Sequence, residues 1–158
     1  MNDLTADLEN LTGRELIERI WAGPGASPLG ILLDMRLIDV GDGTATFEAL
    51  PSRKFYNPHG RCHGGFAATL IDSALGCAVQ TKLGRGVRYG TVELKVNYVR
   101  PIVEETGRIL CTGRVIHSGS RMSTAEARVT DLDTFKAQFT EVQKNCGGCH
   151  ETYRLKKS

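Results

Sequence analysis

An α+β fold, an antiparallel sheet with one helix packed on its face, is predicted by three features of this 158-residue sequence. Residues 66–82, "FAATLIDSALGCAVQTK", are apolar, free of proline and long enough for a helix. Runs with strand character stand on both sides of it, two before and three after. Those runs are joined by short Gly-containing turns, which make antiparallel neighbours and not parallel crossovers.

Each element has its own local signature. "TGRELIERIW" (12–21) reads as a short helix that Thr12 caps, with Glu15 completing a capping box. "AGPGASPLG" (22–30) is a Gly- and Pro-rich loop. "ILLDMRLIDVGDGTATFEALP" predicts two strands turning at Gly41-Asp42-Gly43, and 52–65 is a long irregular connection. On the central helix Thr69, Asp72, Ser73, Gly76 and Gln80 form one stripe while the other faces are apolar, as in a mostly buried helix. "TVELKVNYV" (91–99) alternates, Val92, Leu94, Val96 and Tyr98 against Thr91, Glu93, Lys95 and Asn97, and predicts a half-buried strand. "RILCTGRVIH" and "RMSTAEARVT" predict two more strands across a Ser118-Gly119 turn.

Bulk composition excludes several classes. With 41% apolar and 24% charged residues the chain is ordinary for a globular domain. No run approaches the ~18 apolar residues of a membrane span. The acidic, helix-patterned start lacks the features of a secretory signal, which places the protein in the cytoplasm as an expectation. A net charge of +2 does not point to nucleic acid, and five scattered cysteines do not make a disulfide framework. Residues 1–133 carry net −1 and residues 134–158 net +3, so the composition changes near residue 133.

The densest chemistry lies in "YNPHGRCHGGFAATLIDSALG" (56–76). His63-Gly64-Gly65 opens the central helix, whose first N–H groups lack intrahelical partners and favour a developing negative charge. Glycine at 64 and 65 lets a ligand approach the backbone. Asp72 is the only carboxylate or basic group between His63 and Lys82, and a carboxylate on an apolar helix is suited to act as general base or nucleophile. The residues alone also allow His63 as a plain helix cap and Asp72 as one solvated member of the polar stripe.

"NPHGRCHGGFAATLIDSALG" followed by "TVELKVNYVRP" resembles the hotdog-fold acyl-CoA thioesterases of the phenylacetate-degradation (PaaI-like) type, over residues 12–133. The resemblance implies an antiparallel sheet wrapped around the central helix, in a homodimer or homotetramer with the site at the subunit interface. It implies that the Gly64 N–H holds the thioester oxyanion. Asp72 from the neighbouring subunit would activate water or attack the carbonyl. Asn57 would place the water or thioester, and His63 would support the loop or contact the thioester. Thr91 would assist beside the acid, and Gly60 and Gly65 would border the acyl-CoA substrate. No cofactor is required for that hydrolysis. Arg53, Lys54, Arg61, Arg85 and Arg88 are candidate contacts for the CoA phosphates, and Phe55, Tyr56 and Tyr89 for the acyl or aryl group. A silent module that only binds acyl-CoA is the alternative on the same residues.

Residues 134–158 depart from that pattern, and an atypical C-terminal helix replaces the expected last strand. Phe135, Phe139, Val142, Cys146, Cys149 and Tyr153 follow helical spacing, and Cys146-Gly147-Gly148-Cys149-His150 is a c-type haem attachment signal. The segment resembles the last helix of cytochromes c-prime. That resemblance implies thioether bonds at Cys146 and Cys149 and His150 as axial ligand, hence a haem-binding electron-transfer protein as the rival function. The three preceding helices of such a bundle are missing, and no metal site is otherwise expected.

Overall fold

The computed structural model describes residues 8–22 and 27–131. Helix α1 (Gly13–Trp21) begins with the capping box its sequence predicts, Thr12 accepting from the Glu15 N–H while the Glu15 carboxylate accepts from the Thr12 N–H at 2.8 Å. Leu16 and Ile17 turn its apolar side inward. The Gly/Pro-rich stretch contains a short helix the composition does not announce, α2 (Pro28–Leu32), capped by Ser27 and started by proline. Ile31 and Leu32 therefore belong to a helix and not to the first strand. Asp34, in the left-handed region at φ 51°, redirects the chain into β1.

Strands β1 (Met35–Gly41) and β2 (Thr44–Ala49) form the predicted hairpin around Asp42 and Gly43, the latter at φ 77°. After the central helix α3 (Gly64–Gln80) come β3 (Ile109–Ser118) and β4 (Ser123–Asp131). The four strands are antiparallel in chain order β1-β2-β3-β4, which bears out the predicted α+β class. Breaks in register at Leu37/Asp39 and Val115/His117 add local twist. The sheet curls on α3, and Phe47, Leu70, Ala74, Ile109 and Cys111 close the core between them. Trp21 meets Phe47 edge-to-face with centroids 4.6 Å apart, tying α1 to the sheet.

The alternating run 91–99 differs from its prediction. Residues 87–99 lie in no strand. Leu94 and Val96 are half-buried, but Val92 is 90% and Tyr98 60% exposed, so the expected inner face holds at two positions of four. Among the described residues β4 is an edge strand, and the run gains no ladder partner from it.

The run instead lies along the polar stripe of α3, antiparallel to the helix. The Gln80 side-chain amide donates to the Val87 carbonyl at 2.9 Å, and the Tyr89 ring covers Gly76. Further along, Thr91 donates to Asp72 and Tyr98 donates to the Gly64 carbonyl. The stripe is a contact line, not a solvated face, and Gln80 is buried at its C-terminal end.

Burial of thiols against this core has a measurable consequence. Cys77 and Cys111 are buried, and desolvation pushes both thiols from 9.0 up to about 12. The unfolded chain releases those protons near the ordinary value while the native state retains them, so their contribution is full below 9 and is lost toward 12. The unfolding free energy from urea denaturation is expected to be level up to about pH 8.5 and then to fall by about 1.4 kcal/mol per pH unit for each thiol. Cys111→Ala should flatten that limb; an unchanged slope would show that the thiol does not contribute.

Candidate active site

The N-terminus of α3 is built by the loop that precedes it. Asn57 organises that loop: its N–H donates to the Arg61 carbonyl at 2.8 Å and its Oδ1 accepts from the His59 N–H at 2.9 Å. The turn closes through Gly60 at φ 75°, where an L side chain is strained. Asn57 therefore acts first as the pin of the loop, a role the sequence motif does not distinguish from holding water.

His63 is the N-cap of α3. Its N–H donates to the Phe55 carbonyl at 2.7 Å, and its Nδ1 accepts from the Gly65 N–H at 2.9 Å. The acceptor role requires a lone pair on Nδ1, which puts the proton of the neutral ring on Nε2. The next backbone donor, the Phe66 N–H, is taken by the His63 carbonyl. The Gly64 N–H makes no hydrogen bond among the described residues. Of the helix's first donors it is thus the one open to a ligand, at the positive end of a 17-residue helix.

Tyr98, which the alternating pattern assigns to the core face, stands over this opening. Its hydroxyl donates to the Gly64 carbonyl at 3.1 Å, and a Cβ at Gly64 would lie 3.1 Å from its ring. The sequence signal for it is the helix glycine itself: a position without Cβ facing an aromatic residue marks a close approach. Tyr89 on Gly76 repeats the arrangement, and its hydroxyl is pushed up to about 12, mainly by burial.

Two turns along the same stripe, Asp72 is half-buried and its Oδ1 accepts from the Thr91 hydroxyl at 2.8 Å. That contact orients the carboxylate. Gly64 and Asp72 stand eight residues apart on one straight helix, about 12 Å along its axis. A single carbonyl cannot touch both within one protomer.

Beside the helix start, Leu29, Leu33, Phe55 and Phe66 line an open hollow with His63 and Gly65 at its rim. Phe55 stacks on Phe66 with centroids 4.7 Å apart. Of the candidate phosphate contacts, Arg53 pairs with Glu104 at 3.0 Å, Lys54 lies over the Phe55 ring and Arg85 donates to the Asn10 carbonyl. Arg61 and Arg88 are exposed and make no ion pair among the described residues. No cluster of His, Cys, Asp and Glu suited to a metal occurs among the described residues, and no helix there is long and apolar enough to cross a membrane. Cys146, Cys149 and His150 lie outside the described residues.

Comparison with known proteins fits this geometry. The profile of the thioesterase superfamily matches residues 59–136, which include the loop, α3, the 91–99 run and the sheet edge. That match runs past residue 133, and the cytochrome resemblance of 133–158 finds no support. A protein of Halobacterium salinarum named as an esterase is 36% identical over 116 residues, 70% of this chain and 75% of the relative. The solved structure of a conserved protein of Pseudomonas aeruginosa is 31% identical, covers 68% of this chain and 84% of its own, and superposes with a TM-score of 0.63. The PaaI protein of the phenylacetic acid degradation operon of E. coli, at 21% identity, shares the fold: it covers 66% of this chain and 73% of its own, with a TM-score of 0.61. On the curated relative, the profile and the hotdog architecture together, the chain belongs to the thioesterase superfamily.

Proposed function

We propose that the protein hydrolyses the thioester of an acyl- or aryl-CoA to the free acid and CoA, at sites each shared by two protomers. The observation that carries this is the split of the two reactive features on α3. An open Gly64 N–H at the helix start suits an oxyanion, and an oriented carboxylate at Asp72 suits a base or nucleophile, yet about 12 Å of helix separates them. Two antiparallel copies of α3 bring the Gly64 of one protomer to the Asp72 of the other, twice per dimer. Val92, 90% exposed beside Thr91, supplies apolar surface for such a contact.

In this reading the thioester oxygen sits on the Gly64 N–H. Asp72 takes a proton from water as it attacks the carbonyl, or attacks it directly to form an anhydride that water then opens. Thr91 holds the carboxylate in orientation throughout, and the thiolate of CoA leaves with a proton. The route uses water alone and requires no cofactor. The apolar hollow at Leu29, Phe55 and Phe66 suits the acyl or aryl group, and Arg61 and Arg88 suit the phosphates.

The test is a panel of aliphatic and aromatic acyl-CoAs followed by subunit mixing. Asp72→Ala and Gly64→Pro are each expected to be inactive alone. Mixed and allowed to exchange subunits, they should regain up to about a quarter of wild-type activity, because half the dimers are then hybrids with one intact site of two. Inactive mixtures with verified exchange would contradict a shared site. Equal rates for wild type and Asp72→Ala on every substrate would contradict the hydrolase mechanism itself.

A further inference from the structure

Two tyrosines stand over glycines of α3, and the hydroxyl of only one has a partner. Tyr98 covers Gly64 and donates to its carbonyl at 3.1 Å. Tyr89 covers Gly76 so closely that a Cβ there would overlap both its hydroxyl and its ring. Yet the Tyr89 hydroxyl makes no hydrogen bond among the described residues. A phenylalanine would cover Gly76 equally well. A phenolic hydroxyl turned onto a buried helix glycine calls for a polar partner.

Its position says which partner fits. Tyr89 and Thr91 are two residues apart on an extended run, and both turn toward α3. Thr91 donates to Asp72 Oδ1 at 2.8 Å, while Tyr89 meets the helix at Gly76, one turn further on. Side chains four residues apart on a helix start about 5–6 Å from one another. The Tyr89 oxygen takes the place of the absent Gly76 Cβ, so it stands about one helical turn from the acid. Two O–H···O hydrogen bonds of about 2.7–2.8 Å, meeting at one water, bridge such an interval. The proton of the hydroxyl is held up to about 12, by burial first, with Cys77 and Asp72 adding to it. The group therefore stays neutral beside the acid.

We propose that Tyr89 and Asp72 of one protomer hold between them the water that attacks the thioester, which makes Asp72 a general base and not a nucleophile. The proposal rests on the hydrolase reading above and selects one of its two routes. The water gives one hydrogen to the Asp72 carboxylate and the other to the Tyr89 oxygen. The Thr91 hydroxyl is a third neighbour, and a held water usually has about three. One lone pair is left for the carbonyl carbon. As the C–O bond forms, a proton passes from the water to Asp72 and the carbonyl π pair moves onto the oxygen at the Gly64 N–H. When that oxyanion collapses the C–S bond breaks, and the CoA sulfur leaves with the proton that Asp72 took. Tyr89 keeps its own proton throughout. It thereby passes from candidate acyl contact to the reacting water.

Two substitutions reach the same oxygen from opposite sides. Tyr89→Phe keeps the ring over Gly76 and should lower kcat about 10- to 100-fold with KM within about threefold. Gly76→Ala pushes the hydroxyl out, since its Cβ meets the far end of a flexible side chain, and alanine is the better helix former. It should lose kcat as Tyr89→Phe does without melting at a lower temperature. The double variant should lose no more than about twofold beyond either one. In a single turnover in water labelled with heavy oxygen, the product acid should carry the label and Asp72 none.

Tyr89→Phe at the wild-type rate, two losses that multiply in the double variant, or label in Asp72 would each overturn the water site. Asp72→Ala, run beside them, separates the two levels. If it is as fast as wild type, the hydrolase reading fails and the water site with it. If it is inactive while Tyr89→Phe is unimpaired, the water site alone fails.

Discussion

Replacing Asp72 by Asn is expected to lower kcat for acyl-CoA hydrolysis by at least about 10³-fold while KM moves less than about threefold. The amide keeps an oxygen that accepts from the Thr91 hydroxyl, now 2.8 Å from Oδ1, so the local geometry survives. What disappears is the capacity to take a proton or to attack, and positioned acid–base groups contribute about 10²–10⁴-fold. The side chain is half-buried at the helix surface, so the melting temperature should hold within a few degrees. Thr91→Val in the intact enzyme should cost about tenfold in kcat, since it frees the carboxylate to turn without removing it. Combining the two substitutions should add little to Asp72→Asn, because an orienting contact has nothing left to orient. An Asp72→Asn enzyme within threefold of wild type would overturn the assignment.

Gly113→Ala is expected to destabilise the fold by about 3 kcal/mol. Gly113 lies on β3 between Ala45 of β2 and Ala127 of β4, where the sheet passes close to α3. A Cβ there would collide with the Ala74 carbonyl and stand 2.9 Å from the Leu75 nitrogen, both backbone atoms of the helix. Flexible side chains relieve such overlaps; helix backbone does so only by moving the whole element, and overpacking typically costs about 1–3 kcal/mol. Gly90→Ala is the matched control, since nothing lies within 4 Å of its Cβ, and it should stay within about 0.5 kcal/mol. Urea denaturation of both variants checks the pair. Because α3 carries Gly64 and Asp72, the surviving folded fraction of Gly113→Ala should also hydrolyse more slowly per native molecule.

Much of this arrangement is legible in the residues, for reasons that are local. The Thr12–Glu15 box, the Gly41-Asp42-Gly43 turn and the unbroken apolar run of α3 each act through neighbours within a few positions, and each stands where its pattern places it. The HGG opening and the lone acid on α3 are likewise readable, because helix geometry converts sequence spacing directly into distance. Alternation in 91–99 misled because period two reports an extended backbone, not a paired one. The seats of Tyr98 at Gly64 and of Tyr89 at Gly76, the latter a candidate acyl contact, were not legible for a related reason: each is a helix glycine many positions away from its ring. Asn57, which the resemblance assigns to placing the water or thioester, uses its Oδ1 in its own turn.

The line that runs from Gln80 to Gly64 behaves as a ruler with a cursor. Rise per residue in an α-helix is invariant, so the interval between the donor at 64 and the acid at 72 cannot be tuned by sequence on either side. The antiparallel run can be shifted, and every contact it makes, at Val87, Tyr89, Thr91 and Tyr98, would slide together. Insertions in the turn at residues 84–86 should therefore leave the interval intact and change which residue reaches the acid. Selection for a different substrate would find its freedom in that turn and in the hollow beside Phe55, while the helix stays graduated as it is.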